Sequence, residues 1–544
     1  MGFLQSQRNL ANLFAMPNTF QSRRALVFIS VASLVFLITL WNSFAVDSPY
    51  HHRHPPPPPP GPAHGHVAPP PPPLPPHSDG HLPSSPPPPE KPAPSQEDEP
   101  IASLGNAAVP NFSTTQQSDP LCAHHPDTSN IAVVMKTGAT ESFARLPTQF
   151  MTTLRCIDDF LVFSDMNQTI AGVEVLDSLD EMLESAKEGN PDFDLYRTQM
   201  ACDVDQAPCT SALDRADAGW KLDKYKNIHM AEKTWKRMPN KDWYLYIDAD
   251  TYVLWNTLVM WLKTLDPNKK LYLGSVAMLG DFPFAHGGSG YILSRAAMEA
   301  FVGENPGVAN KYDEDVHNHC CGDFLLSKAL KETTGVPVTG VWPTINGEKP
   351  YTLPYGDSHW CHPITTMHHM SAEEISSFWE YETLRYDEAL KATAPGSKFN
   401  PEPVLIKEIF DEFFTSRLVA RRNDWDNSAD ERFYLDPKAK DWPDWQLNRA
   451  YDEEKKSETE KKAHLSFDNC KKACEETKKC FQFSYKEGVC GFSFSMRLGK
   501  PTPAKKNTKK EDRIHSGWDV PKIKEWADKH KTCQQIHWPK LKDQ

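Results

Sequence analysis

The segment spanning residues 243–255 constrains the fold of this chain more than any other. It begins Trp-Tyr-Leu-Tyr-Ile, continues with Asp248, Ala and Asp250, and returns to mainly apolar residues up to Trp255. A strand that is buried on both faces has a nearly continuous apolar sequence, and such strands occur in parallel sheets covered by helices. The segment therefore predicts a central strand of an α/β fold that ends in two carboxylates.

The position of these two carboxylates indicates a metal site. In open α/β sheets ligands bind beyond the carboxyl ends of the strands, which is where Asp248 and Asp250 would lie. Paired oxygen ligands suit Mn²⁺ or Mg²⁺, and these ions bind diphosphates. The first hypothesis is therefore an enzyme that uses a sugar nucleotide. An Asx turn or a helix cap is the alternative explanation.

The Asp-x-Asp spacing alone is not specific, because it recurs along the chain. The other pairs do not follow an apolar strand, and we expect their carboxylates to be solvated in loops. These pairs are Asp192/Asp194, Asp203/Asp205, Asp313/Asp315 and Asp424/Asp426.

An α/β unit is predicted upstream of the carboxylate strand. Residues 131–135 have the pattern of a strand, residues 141–155 that of a helix, and residues 160–163 that of a second strand. The first turn of such a unit often contacts a nucleotide. The turn residues Lys136, Thr137 and Gly138, together with Asp165 after the second strand, are therefore candidates for uridine and ribose contacts. An ordinary turn at a strand end is the alternative.

Two further segments add candidate site residues. The sequence 284–291 contains Gly287, Gly288 and Gly290, and three glycines within four residues suit a loop that lies against a ligand. A tight turn is the alternative. Asp323 falls at the start of a helical pattern, where an acid is either a helix cap or a general base. The spacing does not separate these two roles.

Three histidines lie close together near residue 365. His362, His368 and His369 precede Ser371-Ala-Glu-Glu374, which has the pattern of a capping box at a helix start. The histidines are therefore expected in a loop that enters a helix. At least one of them is a candidate metal ligand, and structural hydrogen bonding is the alternative.

The amino-terminal part of the chain predicts a membrane anchor and a stem. Residues 25–46 are apolar and follow Arg8, Arg23 and Arg24, so they predict a transmembrane helix with residues 1–24 in the cytosol. A cleaved signal peptide is the alternative. Residues 47–120 are rich in proline and predict an extended stem. The catalytic part would then lie in the lumen.

The twelve cysteines predict a disulfide framework, because a lumenal compartment is oxidising. The adjacent residues Cys320 and Cys321 are expected to find separate partners, or one of them stays reduced. Residues 464–544 predict a small disulfide-rich module after a connecting segment at 401–463, with a zinc site as the alternative. The net charge of -13 argues against a nucleic-acid partner.

Taken together, these features resemble glycosyltransferase family 31, the fringe and core 1 β-1,3-galactosyltransferase group, and within it the fungal branch with a type II anchor. The resemblance covers residues 131–382. The carboxy-terminal module resembles a PAN/apple-type domain. The resemblance to family 31 rests on ordered motifs, namely Lys136-Thr-Gly138, Phe163-Ser-Asp165, Asp248-Ala-Asp250, residues 284–291, Gly322-Asp323 and His368-His369.

The resemblance implies a GT-A type nucleotide-sugar transferase domain at residues 121–400. It also implies a UDP-sugar donor, Mn²⁺ (or Mg²⁺) as cofactor, and inversion at the anomeric carbon. Asp250 would bind the metal, Asp248 would lie nearer the ribose, and Gly287 and Gly288 would contact the cofactor and donor. The metal histidine would be His368 in the fungal pattern or His362 in the core 1 pattern, and His368 is favoured.

The resemblance assigns the general base to Asp323, with one departure from the family pattern. Gly322 stands where a glutamate is common, and Glu314-Asp315 imitates the motif, so Asp315 is the alternative base. The implied activity is transfer of galactose in β-1,3 linkage to an N-acetylgalactosaminide in the Golgi, by a chain that could form oligomers. The alternatives are transfer of N-acetylglucosamine or glucose, or a degenerate, membrane-tethered glycan-binding protein.

Overall fold

The computed structural model describes residues 119–541, except residues 124, 203–204, 395–398, 440 and 506–507. The predicted cytosolic tail, the predicted transmembrane helix at 25–46 and nearly all of the predicted stem lie outside the described residues. Among the residues that are described, no helix is both long and apolar enough to cross a membrane.

The strands of the described chain cluster in two parts, up to residue 367 and from residue 421 onward. In chain order they are β1 (Ile131–Lys136), β2 (Phe160–Ser164), β3 (Gln168–Ile170), β4 (Val173–Asp177), β5 (Trp243–Asp248), β6 (Tyr252–Val253), β7 (Tyr272–Gly274), β8 (Val276–Leu279), β9 (Phe282–Ala285), β10 (Tyr291–Ser294), β11 (Thr339–Gly340), β12 (Thr366–Met367), β13 (Arg421–Asn423), β14 (Trp425–Asp426), β15 (Arg432–Leu435), β16 (Gln482–Lys486), β17 (Val489–Ser493), β18 (Lys500–Pro501) and β19 (His515–Trp518).

Helices alternate with the strands in the first of these parts. The α-helices are α1 (Ser142–Met151), α2 (Glu184–Lys187), α3 (Asp194–Met200), α4 (Gln206–Cys209), α5 (Arg215–Asp223), α6 (Lys226–Arg237), α7 (Trp255–Leu262), α8 (Arg295–Met298), α9 (Gly322–Thr334), α10 (Ala372–Ala392), α11 (Ile406–Ile409), α12 (Asp444–Leu447), α13 (Phe467–Glu476) and α14 (Val520–Lys529). Short 3-10 or π turns occupy Pro120–Cys122, Pro191–Phe193, Glu299–Gly303, Ala309–Lys311, Val316–Asn318, Phe410–Phe414, Thr415–Arg417, Glu453–Lys455, Glu460–Leu465 and Lys510–Asp512.

The main sheet has eight strands in the order β11-β7-β10-β5-β1-β2-β4-β3. Strand β1 lies between β2 and β5 and is parallel to both, and β2 is also parallel to β4. Strand β10 is antiparallel to β5 and to β7. The parallel centre confirms the predicted α/β class, because β1, α1 and β2 form the expected crossover unit.

Both faces of this sheet are buried, which explains the continuous apolar sequence of β5. Tyr244 and Tyr246 belong to one apolar cluster, and Trp243, Leu245 and Ile247 belong to the other. Successive side chains of a strand point to opposite faces, so a strand buried on both sides needs apolar residues at every position. The carboxylates follow where this apolar run ends.

In the described part of the chain, the residues after about 350 pack against the segment that follows β5 through a third apolar cluster. This cluster contains Tyr252 and Phe378, the segment around Phe410, and Met496 and Trp518 from the carboxy-terminal part. A five-stranded antiparallel sheet in the order β13-β19-β16-β17-β15 completes the fold. Its strands come from both sides of residue 464, where the sequence predicts the start of a separate module.

All twelve cysteines of the chain form disulfides, which confirms the predicted framework and leaves no thiolate for a zinc site. One prediction is wrong, because Cys320 and Cys321 bond to each other rather than to separate partners. Neighbouring cysteines can close a ring through the peptide bond that joins them. The other pairs are Cys122–Cys156, Cys202–Cys209, Cys361–Cys533, Cys470–Cys490 and Cys474–Cys480.

Candidate active site

The turn after β5 carries the two carboxylates of the predicted metal site. Asp248 ends the strand, and its carbonyl oxygen accepts a hydrogen bond from the Thr251 N–H at 2.9 Å, which closes a turn around Asp250. The buried side chain of Gln149 on α1 donates to the carbonyl oxygens of Ala249 (2.8 Å) and Thr251 (3.1 Å). These hydrogen bonds fix the backbone on both sides of Asp250, just after the end of the strand.

Asp250, His368 and His369 form a group whose ligand atoms all lie within 4.8 Å of one another. Strand β12 pairs with β6, and the Met370 N–H donates to the carbonyl oxygen of Asp250 at 3.0 Å, so the histidine loop lies on the carboxylate turn. The Nδ1 atom of the buried His368 is 3.1 Å from Oδ1 of Asp250.

His362 does not join this group. Its ring lies against the ring of His537, with 5.4 Å between the centroids, and burial lowers its pKa. The structure therefore brings His368 and His369 to Asp250, and it leaves His362 beside the Cys361–Cys533 disulfide.

The donor set of this group fits a divalent ion. It offers one carboxylate and two imidazoles, and these ligand types bind Mn²⁺ and other first-row ions. Burial by itself would raise the pKa of Asp250. The hydrogen bond with His368 and the charge of His368 outweigh burial, so the pKa of Asp250 is lowered. Asp250 is therefore ionised, as a metal ligand must be. Burial raises the pKa of the neighbouring Asp248.

Two adjacent glycines join the candidate metal ligand to the candidate base. The Gly287 N–H donates to Oδ2 of Asp323 at 2.8 Å. Gly288 lies against the ring of His368, and a Cβ atom at this position would come within 2.1 Å of Nε2. The loop therefore needs glycine at position 288, and it holds both side chains at fixed positions.

Asp323 lies in the first turn of α9 and is half buried. Its Oδ1 accepts from the Phe324 N–H at 2.8 Å, so both carboxylate oxygens are oriented by backbone N–H groups. Burial raises the pKa of Asp323, although these hydrogen bonds and the charge of Lys136 act in the opposite direction. A carboxylate with a raised pKa is a better proton acceptor, which suits a general base.

Asp315, the alternative base, is held differently. Its carboxylate accepts from Lys328 at 2.7 Å and lies 3.0 Å from Nε2 of His319. The hydrogen bond from Lys328 is the main reason that its pKa falls to about 2. A carboxylate with this pKa is a weak proton acceptor at neutral pH, so its low proton affinity suits a general base less well than the raised pKa of Asp323 does.

Lys136 links the predicted nucleotide turn to the carboxylates. Its ammonium group is 2.5 Å from Oδ2 of Asp223 and 3.4 Å from Oδ1 of Asp248. Burial by itself would lower the pKa of Lys136. The charges of Asp223 and Asp248 outweigh burial, so the pKa of Lys136 is raised. Lys136 is therefore a fixed cation in the candidate site.

Asp165 is buried under the predicted nucleotide turn and holds its backbone by hydrogen bonds. It is 2% exposed, and its Oδ1 accepts from the Ala139 N–H and from the Lys226 ammonium, both at 3.0 Å. Lys226 also donates to the carbonyl oxygen of Thr137 at 2.9 Å. Lys226 and Asp165 thus shape the backbone from Thr137 to Ala139, including Gly138. The contacts of Asp165 and of residues 136–138 with a nucleotide stay a prediction.

Three charged residues of the site were not singled out from the sequence. They are Asp223, Lys226 and Arg145, whose Nη1 lies 3.9 Å from Oδ2 of Asp250. A lysine that is 1% exposed needs a carboxylate partner, but sequence alone does not show its burial. The available signal was the charged sequence 223–227, Asp-Lys-Tyr-Lys-Asn. In the structure this segment joins α5 to α6 and carries Asp223 and Lys226.

Among the other Asp-x-Asp pairs, Asp313 does not follow the expectation of a solvated carboxylate. It is 2% exposed, and its Oδ1 lies 2.6 Å from Nε2 of the buried His229. Asp313 is therefore a buried carboxylate that pairs with His229, rather than a solvated loop carboxylate.

A comparison with known protein families finds that residues 191–340 match the family model described as Fringe-like. This range contains Asp223, β5, the two glycines of the loop and Asp323. The predicted resemblance to the fringe group is therefore confirmed over this range. The fungal branch and the PAN/apple-type module stay predictions.

Several solved structures are also similar. A glycosyltransferase involved in the glycosylation of the major capsid of PBCV-1 shares 13% identity, covering 46% of this chain and 99% of that one, with a TM-score of 0.25. An active-site mutant of LgtC (10% identity, TM-score 0.25) and the galactosyltransferase LgtC in complex with donor and acceptor sugar analogues (10%, TM-score 0.23) each cover 46% of this chain and 95% of their own. Scores this low carry no argument about the site.

Proposed function

We propose that this chain, which carries a Fringe-like domain, is an inverting, metal-dependent glycosyltransferase that moves a sugar from a UDP-sugar to a glycan acceptor. The Fringe-like match over residues 191–340 supports the transferase class. Galactose, in β-1,3 linkage to an N-acetylgalactosaminide, is the first donor and acceptor to test, and this choice rests on the family resemblance alone. N-acetylglucosamine and glucose are the next donors to test.

The observation that carries this proposal is the pair of contacts made by Gly287 and Gly288. One glycine donates a hydrogen bond to Asp323, and the next packs on His368 beside Asp250. A carboxylate suited to accept a proton and a group suited to bind a divalent ion therefore flank one short loop. A transferase that uses a nucleotide sugar needs a proton acceptor and a metal site close enough together to act on one bound substrate.

The reaction would be a single displacement. The acceptor hydroxyl oxygen forms a bond to the anomeric carbon while the bond from that carbon to the UDP β-phosphate oxygen breaks, so the configuration inverts. The hydroxyl proton passes to the Asp323 carboxylate, whose oxygens are oriented by the N–H groups of Gly287 and Phe324. General-base assistance of this kind contributes about 10²–10⁴-fold in rate.

Negative charge on the departing diphosphate needs cations nearby. Asp250, His368 and His369 would hold the divalent ion, which when bound stabilises that charge. Lys136 and Arg145 add two cations at the same end of the sheet. Lys136 is held between Asp223 and Asp248, so its position does not depend on the ligand.

We also infer a compartment of the secretory pathway, with the Golgi membrane as the proposed location. The six disulfides support an oxidising compartment. The membrane anchor at residues 25–46 stays a prediction from the sequence.

The test is an assay of UDP release with a secreted form of the protein that begins near residue 101. It is incubated with Mn²⁺, single UDP-sugars and a panel of glycoside acceptors. We expect release that requires the metal, one donor and one acceptor. UDP binding without release, in a folded protein, would instead favour a glycan-binding protein that has lost transfer activity.

Two variants test the assigned roles in the same assay. Asp323→Asn should lose about 10²–10⁴-fold in turnover and keep its affinity for UDP, while the control Asp315→Asn keeps its turnover. Asp250→Ala should lose Mn²⁺-dependent UDP binding as well as turnover, while the control Asp194→Ala, another Asp-x-Asp residue, keeps both. Normal turnover in Asp323→Asn would reject its role as the base.

A further inference from the structure

The disulfide between Cys320 and Cys321 lies directly before the helix that carries Asp323. Cys321 is the residue before α9, and Asp323 is the second residue of that helix. Both cysteines are half buried. The proposed reaction does not use this disulfide.

The backbone that follows the disulfide is tightly packed. A Cβ atom on Gly322 would come within 2.7 Å of the carbonyl oxygen of Lys224 and 3.1 Å of Oδ1 of Asn227. Gly322 therefore lies against the junction of α5 and α6. The Cys321 carbonyl oxygen accepts from the Leu325 N–H at 3.2 Å, which begins the first turn of α9.

The chain before the disulfide is connected to the same helix. Residues Val316–Asn318 form a short 3-10 turn, and Asp315 ahead of it pairs with Lys328 on α9 at 2.7 Å. The disulfide therefore joins a loop and a helix that already touch. A bond between neighbouring cysteines closes a small ring, which restricts the backbone torsions at the point where the helix starts.

We propose that the Cys320–Cys321 disulfide is a positioning element for Asp323, because it fixes the start of α9 so that the carboxylate stays at the Gly287 N–H. This inference rests on the proposed function, since it gives a role to the geometry of the proposed base. In the proposed function, the donor is bound by residues of β1, β5 and the histidine loop. Loss of the disulfide should therefore reduce transfer and leave UDP binding unchanged.

The test compares Cys320→Ser/Cys321→Ser with Cys202→Ser/Cys209→Ser, which removes another short-range disulfide. We expect the first variant to lose about tenfold to hundredfold in kcat, because a small displacement of a reacting group has an effect of this size. Its donor KM and its affinity for UDP, measured by calorimetry, should match those of the control. The acid limb of its kcat profile should move to higher pH, because the Gly287 hydrogen bond that lowers the pKa of Asp323 is weakened.

The outcomes separate this inference from the proposed function. An unchanged kcat and acid limb would overturn the positioning role, and so would a loss of UDP affinity and thermal stability in step with kcat. If the wild-type protein releases no UDP with any pair of substrates, the proposed function fails by itself. In that case hydrogen exchange at the Gly287 amide still tests the positioning role. Faster exchange in Cys320→Ser/Cys321→Ser than in the wild-type protein supports this role, and unchanged exchange rejects it.

Discussion

Single side chains set the charge of the candidate site. Burial raises the pKa of Asp248 and Asp323, whereas His368 lowers the pKa of Asp250. Carboxylates at one end of the sheet therefore differ in proton affinity because they have different neighbours. Such a separation is what a site needs if one acid binds a metal and another accepts a proton.

The raised pKa of Asp323 predicts the acid limb of activity. The base form of Asp323 is lost as the pH falls through this pKa, so the limb should lie above about 3.9, the ordinary value for an aspartate. The measurement is kcat/KM for the donor between pH 4 and pH 8 with Mn²⁺, because this ratio reports the ionisable groups of the free enzyme. Asp315→Asn should not move the limb, because the pKa of Asp315 is already about 2. A limb at or below the ordinary value would contradict the assignment.

Replacing Lys136 should destabilise the protein as well as the site. Lys136→Met leaves Asp223 and Asp248 without the cation between them, and we expect the free energy of unfolding to fall by about 2 kcal/mol, because both carboxylates keep some contact with solvent. Denaturant unfolding measures this loss. The exposed Lys221, which pairs with Asp217, is the matched control, and Lys221→Met should cost about 0–0.5 kcal/mol. Equal losses in the two variants would count against the ion-pair role of Lys136.

The elements with strong local patterns could be predicted from the sequence. The apolar run before Asp248 indicated β5, and the pattern Ser371-x-x-Glu374 indicated the start of α10, where the structure has the complete capping box. The helix α9 ends at Thr334 before Gly335, which has φ of 75° as a helix-ending glycine does. These signals lie within a few residues, so one sequence is enough to detect them.

Contacts between distant elements could not be predicted in the same way. Asp223 at the end of α5 meets Lys136 at the end of β1, although 87 positions separate them. No local pattern encodes this meeting, because it depends on how α5 and α6 pack on the sheet. For the same reason, the sequence could not decide between His362 and His368 from spacing alone.

The glycine loop gives a prediction about contacts between elements. Gly288→Ala places a Cβ atom within 2.1 Å of Nε2 of His368, so the ring must move. We expect the affinity for Mn²⁺, measured by titration calorimetry, to fall by about 10–100-fold, as it does when the support of a metal ligand is lost. Gly356→Ala is the control, because its Cβ would be 4.0 Å from the nearest atom. Unchanged Mn²⁺ affinity in Gly288→Ala would remove His368 from the proposed metal site.

The whole described chain is held together by contacts across its length. The third apolar cluster combines Tyr252, Phe378 and Met496, and β13 and β15 pair with strands from beyond residue 464. The sequence predicted a separate module there because its cysteine pattern changes abruptly at that point. Cysteine spacing reports local loops, however, and it carries no information about the sheet that the loops join.

The Cys361–Cys533 disulfide gives a prediction about this long-range connection. It joins residues 172 positions apart, whereas Cys202–Cys209 joins residues 7 positions apart. In the chain-entropy account, the longer loop contributes about 5 kcal/mol to stability and the shorter one about 2 kcal/mol. Cys361→Ser/Cys533→Ser should therefore lower the free energy of unfolding by more than Cys202→Ser/Cys209→Ser, as measured by denaturant unfolding.

The same pair of variants separates stability from activity. Cys361 adjoins His362, which lies outside the group formed by Asp250, His368 and His369. Mn²⁺ affinity at low temperature should thus be unchanged in Cys361→Ser/Cys533→Ser, even though the protein unfolds more easily. A loss of Mn²⁺ affinity in the folded variant would mean that the metal site depends on the carboxy-terminal part of the chain. Equal losses of stability in the two variants would show that the carboxy-terminal contacts, rather than the covalent link, hold the two parts together.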